Sequence, residues 1–243
     1  MIVLSPTWRR GAVLRLSAVP AGAHHPGHGD DLLHPQPGRQ PDQDGPFLPG
    51  QAQRGAGPCA LRARRTEDTL ALRSINVTAV HFGLHDALFR RRTDRNVPKV
   101  VRNLVPELGV VYPTYRWHIR SGAISPLDFP LVDELVQRVS LSTSKDDIIL
   151  APLGLSGNVD RVLTNQVGWA LSRAGRSVGF YADQPDAQTW EEEIAAPEGT
   201  ERVKFDVDHT VKAQFLERYT THSRSELGKR IPALDETIFL PVS

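Results

Sequence analysis

Polar and charged side chains follow two predicted strands near the points where those strands end. Residues 1–6 form the first predicted strand, an apolar run that ends in a turn, and Thr7, Arg9 and Arg10 come directly after it. Asp160 comes soon after another predicted strand, in which residues 148–153 are all apolar. In an open α/β sheet, ligands bind in the crevice outside the carboxyl ends of the strands. We therefore expect the functional site at this edge of the sheet.

The segment HHPGHGDD at residues 24–31 also contains side chains that bind metals. Histidine and aspartate are common zinc ligands. Their spacing fits no face of a helix or strand, and glycine and proline interrupt the segment, so we expect a solvated loop. The less favoured alternative is a replacement metal site with five candidate ligands: His24, His25, His28, Asp30 and Asp31.

The composition is that of an ordinary globular protein. Of 243 residues, 40% are hydrophobic and 23% are charged, and the formal net charge is +1. This balance gives no bulk attraction to nucleic acid or to an anionic membrane, and we expect neither as a partner. The single cysteine, Cys59, excludes an intramolecular disulfide and a cysteine-based zinc site. With no long apolar run and no recognisable secretion signal, the sequence predicts one cytoplasmic domain over residues 1–243.

Helices and strands alternate from residue 64 onwards. Apolar residues at helical spacing predict helices, and short runs of β-branched or apolar residues predict strands. The predicted helices cover 64–75, 125–140, 158–175 and 210–227, and the predicted strands cover 76–84, 146–154, 176–185 and 202–208. This alternation predicts a Rossmann-like α/β fold with a largely parallel sheet flanked by helices.

Residues 7–63 differ in kind from the rest of the chain. They include eight prolines and nine glycines but no isoleucine, lysine, glutamate, asparagine, tyrosine or methionine. No helical or strand period extends beyond a few residues. We therefore expect an irregular or disordered segment after the first strand.

Two further clusters have ordinary structural explanations. The arginine-rich run RRRTDR at residues 90–95 predicts a solvated loop, because no aromatic platform for nucleic-acid bases accompanies it. Tyr115 and Trp117 have faces that stack on sugars, but packing in a core or loop is the commoner role of such side chains.

Residues 1–6 and about 64–240 resemble the PIG-L/LmbE family of zinc-dependent N-deacetylases. The segment RRTEDTLALRSINVTAVHFGLHDALFRR is similar to the family's Arg-x-x-Glu helix and the strand that ends Leu-Gly-Leu-Pro-Asp. IILAPLGLSGNVDRVL resembles the strand and loop that carry a His-x-Asp-His motif. FYADQP resembles Tyr-x-Asp-x-Pro, and KAQFLERYTTH resembles the late Lys-x-x-Ala…Tyr helix. The resemblance implies hydrolysis of the N-acetyl group of an amino sugar or glycoconjugate, a small-molecule partner.

The resemblance places a zinc site at the ends of two strands. In the family the first strand ends Ser-Pro-His-x-Asp-Asp, where the histidine and the last aspartate bind zinc and the middle aspartate is the general base. The last histidine of His-x-Asp-His is the third ligand. Three protein ligands and an open position allow zinc to acidify its bound water. This chain carries different residues at the ligand positions: Thr7, Arg10 and Arg161.

The other family positions are partly retained. Arg9 replaces the general base, and Asn158 replaces the first histidine of His-x-Asp-His. Asp160 is kept, which implies a catalytic role in orienting reacting groups; an ion pair with Arg161 or helix capping is the structural alternative. Arg64 and Asp86 fall where the family binds its substrate, although both residue types are usually found at the surface at such positions.

These substitutions predict a chain without deacetylase activity. Arginine has no lone pair to offer a metal, so we expect no zinc in this chain, although zinc is the family's cofactor. The first functional hypothesis is therefore a zinc-dependent deacetylase of amino-sugar conjugates, inactive as the sequence stands. The alternative is a non-catalytic homologue or sugar-binding remnant.

A shifted reading frame is our hypothesis for residues 7–63. A GC-rich coding of His-Leu-Asp-Asp-Ala-Val-Leu with displaced bases yields Thr-Trp-Arg-Arg-Gly-Ala-Val-Leu, as residues 7–14 stand. An off-frame segment of GC-rich DNA would also lack isoleucine, lysine, asparagine and tyrosine. Asn158 and Arg161 lie in an in-frame region and need separate substitutions. The DNA sequence upstream of Arg64, read in three frames, tests this hypothesis.

Overall fold

Seven strands and four helices make up the described parts of the chain. The computed structural model describes residues 1–5, 12–16, 58–87, 90–92, 109–112, 121–155, 157–182, 194–205, 207–219 and 236–242. The strands are β1 (Ile2–Ser5), β2 (Ala12–Leu16), β3 (Val77–His81), β4 (Ile149–Pro152), β5 (Val178–Tyr181), β6 (Thr200–Phe205) and β7 (Glu236–Pro241). The helices are α1 (Pro58–Arg73), α2 (Phe129–Ser142), α3 (Val159–Arg173) and α4 (His209–Glu217), and a 3-10 turn (Pro126–Asp128) precedes α2.

The seven strands form one sheet in the order β3-β2-β1-β4-β5-β7-β6. The central strands β1, β4 and β5 are parallel neighbours. β2 pairs antiparallel with β1 and β3, and β7 pairs antiparallel with β5 and β6. Five strands therefore run in one direction, and β2 and β7 run in the other. The predicted α/β class, with a largely parallel sheet flanked by helices, is confirmed.

The segment after β1 departs from the sequence prediction. Residues 12–16, within the predicted irregular segment 7–63, form β2 between β1 and β3. α1 begins at Pro58, six residues before the predicted helix start. The prediction of an irregular segment is therefore wrong for residues 12–16 and for residues 58–63. The rest of 7–63, including the histidine-rich residues 24–31, lies outside the described residues.

The direction of β2 follows from the length of its connection. Only residues 6–11 separate it from β1. A parallel neighbour needs a crossover of a dozen or more residues, whereas an antiparallel neighbour needs only a short turn. β2 is accordingly antiparallel, with Val3 opposite Leu14. The sequence Ala-Val-Leu-Arg-Leu suits a strand because its apolar residues pack well on a pleated surface.

The core lies where α3 covers the central strands. All four residues of β4 are buried, and α3 packs on β4 and β5 while α2 packs against α3. Trp169 of α3 stacks on Phe180 of β5, with ring centroids 4.7 Å apart. Burying an aliphatic or aromatic side chain of this size stabilises the fold by about 1.5–3 kcal/mol. The helix therefore holds a fixed position on the sheet, and its first turn lies beside the carboxyl end of β4.

The carboxyl ends of five strands share one edge of the sheet. Ser5, Pro152 and Tyr181 end β1, β4 and β5 at neighbouring positions. The Tyr181 hydroxyl donates to the Leu4 carbonyl at 3.0 Å and so spans β4. The strand that follows β1 in the chain lies on the β3 side of it, whereas the strand that follows β4 lies on the β6 side. A topological switch point therefore lies between β1 and β4. Such a point is where α/β sheets form ligand-binding crevices.

No helix in the described parts of the chain is both long enough and apolar enough to cross a membrane.

Candidate functional site

Asp160 lies in the first turn of α3, beside the switch point. Asn158 is the N-cap, and its side-chain oxygen accepts the Asp160 backbone N–H at 2.9 Å. An amide oxygen at this position satisfies one of the free N–H groups at a helix start, and a carboxylate in the first turn is stabilised by the helix dipole. The cap is thus Asn158, and the structural alternative in which Asp160 caps the helix is wrong.

The two carboxylate oxygens of Asp160 contact the segment that follows β3. Its Oδ2 accepts the backbone N–H of Ala87 at 3.0 Å. Its Oδ1 forms a short ion pair with Nη2 of Arg90. Asp160 therefore joins the start of α3 to residues that lie 70 and 73 positions earlier in the chain.

Arg90 bridges two aspartates. Its Nη1 contacts Oδ2 of Asp128, its Nη2 contacts Asp160, and its Nε donates to the His85 carbonyl at 3.3 Å. The Arg90 side chain is 12% exposed, against 3% for Asp128 and 23% for Asp160. The prediction of a solvated loop at residues 90–95 is therefore wrong for Arg90, whereas the Arg91 side chain is exposed as expected.

Tyr112 extends this network on the far side of Asp128. Its hydroxyl donates to Asp128 Oδ2 at 2.7 Å and accepts the Ser125 backbone N–H at 3.1 Å. The Arg90 guanidinium also lies over the Tyr112 ring, 5.8 Å from its centroid. The two partners of Arg90 come from separate elements, so no local sequence pattern signals this bridge.

The electrostatics of the network favour a charged arginine and a neutral tyrosine. Burial opposes the charge on Arg90, but the charges of Asp160 and Asp128 outweigh it and raise the arginine pKa. Burial, together with the hydrogen bond to Asp128, raises the pKa of Tyr112 above its ordinary value of 10.0. Opposite charges favour the ionised form of a group, and burial disfavours it. Tyr112 therefore keeps its proton, donates it to Asp128 in a hydrogen bond, and does not act as a base.

The loop after β3 brings Asp86 to the same edge. Arg138 of α2 donates to the Phe82 carbonyl at 3.2 Å at the beginning of this loop. Gly83 has φ of +74°, a left-handed conformation that glycine adopts without strain. Asp86 is buried, next to the Ala87 N–H that binds Asp160, whereas His85 is exposed. The expectation that Asp86 lies at the surface is therefore wrong, and its contact with a substrate remains a prediction.

The described residues at the metal-site positions implied by the family resemblance do not fit zinc. Arg161, at the position of the third ligand, is buried and has no lone pair to give. The side-chain oxygen of Asn158 caps α3, and both oxygens of Asp160 already accept or pair. Within the described ranges, no group of three or more histidine, cysteine, aspartate or glutamate side chains could hold a metal ion.

The structure does not describe the side chains of several candidate residues from the sequence analysis. Thr7, Arg9 and Arg10 lie outside the described residues, as do Tyr115 and Trp117. The backbone of Arg64 lies in α1, but the structure does not describe its side chain. The structure therefore brings together Asp86, Asn158, Asp160 and Arg161 from the sequence-based set, and adds Arg90, Asp128 and Tyr112, which sequence analysis missed.

A second buried cluster lies at the end of β3. Oδ1 of Asp68 in α1 accepts the Tyr219 hydroxyl at 3.1 Å, and Oδ2 lies 3.3 Å from Nε2 of His81. Burial raises the pKa of Asp68 above 3.8, an effect that Tyr219 and His81 only partly offset. Burial and the nearby Asp68 also raise the pKa of Tyr219. The cluster joins α1, the sheet edge and the residues after α4.

Deacetylases of known structure share this fold. No family model matches the chain, and no curated protein matches it by sequence. A crystallised deacetylase–bog complex from the teicoplanin biosynthesis pathway matches with a TM-score of 0.52, 15% identity and 82% coverage of each chain. A zinc-inhibited form of teicoplanin deacetylase matches with the same TM-score, identity and coverages. At this identity the similarity shows a shared fold, so the chain has a deacetylase-type α/β fold.

Proposed function

We propose that this chain derives from zinc-dependent deacetylases of N-acetylated amino sugars or glycoconjugates, and that it does not catalyse that hydrolysis as its sequence stands. The observation that carries the proposal is the first turn of α3. There Arg161 is buried where a metal ligand is needed, and both Asp160 oxygens already have partners. The shared deacetylase-type fold supports the ancestry.

Amide hydrolysis makes demands that these residues do not meet. Water attacks an amide carbonyl readily only when a metal or base activates it and when the developing oxyanion is stabilised. Asp160 is ion-paired with Arg90, and Tyr112 holds its proton tightly because of its raised pKa. The Asp160 carboxylate and the Tyr112 phenol thus hold the loop after β3 in place, and neither is available as a strong base.

A sugar-binding role is the second candidate, and the position of Asp86 favours it. Asp86 lies at the carboxyl edge, beside the hydrogen bond from Ala87 to Asp160, on a loop that is anchored at both ends. Carboxylates are good acceptors for sugar hydroxyls because hydrogen bonds to ionised groups are short and strong. On this proposal Asp86 and Arg64 contact an N-acetylated amino sugar, and no bond is cleaved.

A deacetylation assay on the full chain tests the first candidate. The protein is incubated with an N-acetylglucosamine derivative, with and without added zinc, and released acetate is measured. We expect a rate equal to that of a sample without protein. Zinc-dependent acetate release that a chelator abolishes would overturn the proposal.

Isothermal titration with the same derivative separates the two candidates. Binding that the Asp86→Asn variant weakens at least tenfold, with an unchanged melting temperature, would support a sugar-binding role. The exposed Asp133→Asn variant in α2 is the matched control and should bind as the parent does. If the parent chain shows no heat of binding, an inactive chain derived from a deacetylase is the better account.

A further inference from the structure

We propose that Arg90 is the positioning residue of this sheet edge: its guanidinium acts as a fixed internal cation that holds Asp160 and Asp128 and seats the loop after β3 on the start of α3. This inference concerns how the edge is organised and does not depend on the proposed ancestry or on sugar binding.

The geometry of the guanidinium carries the inference. Its two terminal nitrogens each contact a different carboxylate, and its Nε donates to the His85 carbonyl at 3.3 Å. The planar fork of arginine presents its donors in fixed directions, so one side chain holds three acceptors at once. A lysine ammonium is a single point charge and does not reproduce this arrangement.

The contacts form one continuous series across the edge. Tyr112 donates to Asp128, Asp128 pairs with Arg90, Arg90 pairs with Asp160, and Asp160 accepts the Ala87 N–H. Arg90 is the central member, because it alone in this series joins the two carboxylates. Orientation of Asp160 toward Ala87 therefore depends on Arg90.

Burial makes the central cation necessary. Asp128 is almost fully buried and Asp160 is mostly buried. Removing one partner of a buried charge pair leaves an uncompensated charge and is strongly destabilising, whereas removing all the charges together is much less so. If Arg90 acts through its charge, neutralising its two partners should relieve the effect of losing it.

Amide hydrogen exchange of Ala87 in the full chain gives a direct test. Arg90→Met keeps the aliphatic stem but removes the charge and the fork. We expect its Ala87 amide to exchange at least tenfold faster than in the parent, while amides in β4 keep their protection. Arg90→Lys should give an intermediate rate, and Arg91→Met at the exposed neighbouring position should leave the Ala87 rate unchanged.

The outcome is decisive even where Arg90→Met does not fold. In that case the triple variant Arg90→Met, Asp128→Asn, Asp160→Asn is purified in parallel. Recovery of a cooperative fold by the triple variant supports the positioning role, because charge balance is restored. An unchanged Ala87 exchange rate in folded Arg90→Met, or failure of the triple variant to recover a fold lost in the single variant, would overturn it.

Discussion

The buried carboxyl of Asp68 depends on Tyr219 for part of its stabilisation. Tyr219→Phe removes the hydroxyl that donates to Asp68 at 3.1 Å but keeps the ring contact with Phe215. A hydrogen bond to an ionised group is worth about 1.5–3 kcal/mol, and we expect a loss of this size at neutral pH. Urea denaturation measures it. An unchanged midpoint would contradict the assigned contact.

Asp68 should also set part of the pH dependence of stability. Its pKa is raised above 3.8 in the folded chain, mainly by burial. The folded state therefore holds this proton more tightly than the unfolded state does. The resulting stabilisation is complete below 3.8 and is lost as the pH rises through the folded pKa.

Asp68→Asn removes that titration because the amide stays neutral. We expect the decrease in unfolding free energy between about pH 4 and about pH 7 to be smaller in this variant than in the parent. Denaturant unfolding at several pH values measures it, with the exposed Asp133→Asn variant as the control. An identical pH profile in Asp68→Asn and the parent would contradict the raised pKa.

Sequence analysis found some site residues and missed others for a physical reason. Asp160 and Asp86 were singled out because the segments that contain them resemble motifs of the PIG-L/LmbE family. Arg90 was assigned to a solvated loop, because no aromatic platform accompanies the charged run RRRTDR at residues 90–95. Its partners Asp128 and Asp160 are 38 and 70 residues away, and only the fold brings them together.

At the scale of single elements, the N-cap of α3 is open to test. The Asn158 side chain accepts the Asp160 N–H at 2.9 Å, and replacing such a cap with alanine typically costs about 0.5–2 kcal/mol. We expect Asn158→Ala to lower the unfolding free energy by this amount. Asn158→Asp keeps a side-chain acceptor and should stay close to the parent. Equal losses in both variants would show that capping is not the reason.

The packing of α3 on β4 gives a second test at this scale. A Cβ added at Gly168 would lie 2.5 Å from the Ala151 Cβ. Alanine raises helix propensity by about 1 kcal/mol relative to glycine, but overpacking a core costs about 1–3 kcal/mol. Because a backbone-rooted Cβ cannot rotate away, we expect a net loss for Gly168→Ala in thermal and denaturant unfolding.

The clash at Gly168 can be relieved from the other side. Adding Ala151→Gly removes the atom that the new Cβ meets. The double variant should recover part of the stability lost by Gly168→Ala, even though glycine weakens a strand. If Ala151→Gly instead lowers the stability of Gly168→Ala further, the close approach of α3 to β4 is not the cause of the loss in Gly168→Ala.

Most elements could be predicted from sequence, whereas the strands β2 and β7 could not. The helices α2 and α3 and the buried strands β4 and β5 have clear periodicity and turn signals. β2 lies within proline- and glycine-rich surroundings, where five strand-compatible residues carry little weight. β7 has six residues, and its place between β5 and β6 depends on pairing that no local pattern specifies.

At the scale of the whole molecule, the chain combines a deacetylase-type sheet with a carboxyl edge whose described residues offer no group of metal ligands. The core strands, the switch point and the loop after β3 are in place. At the start of α3, however, the position that the family resemblance assigns to a metal ligand carries the buried Arg161, and Asn158 caps the helix. Fold and chemistry are thus separable here, because the core that fixes the sheet does not use the residues at its edge.

Zinc content is the most direct test of the central claim. The purified full chain is equilibrated with excess zinc, dialysed against metal-free buffer, and analysed by mass spectrometry of the metal. We predict far less than about one zinc per chain, because an arginine cannot replace a histidine ligand. About one zinc per chain, retained through dialysis and removed only by a chelator, would contradict the account.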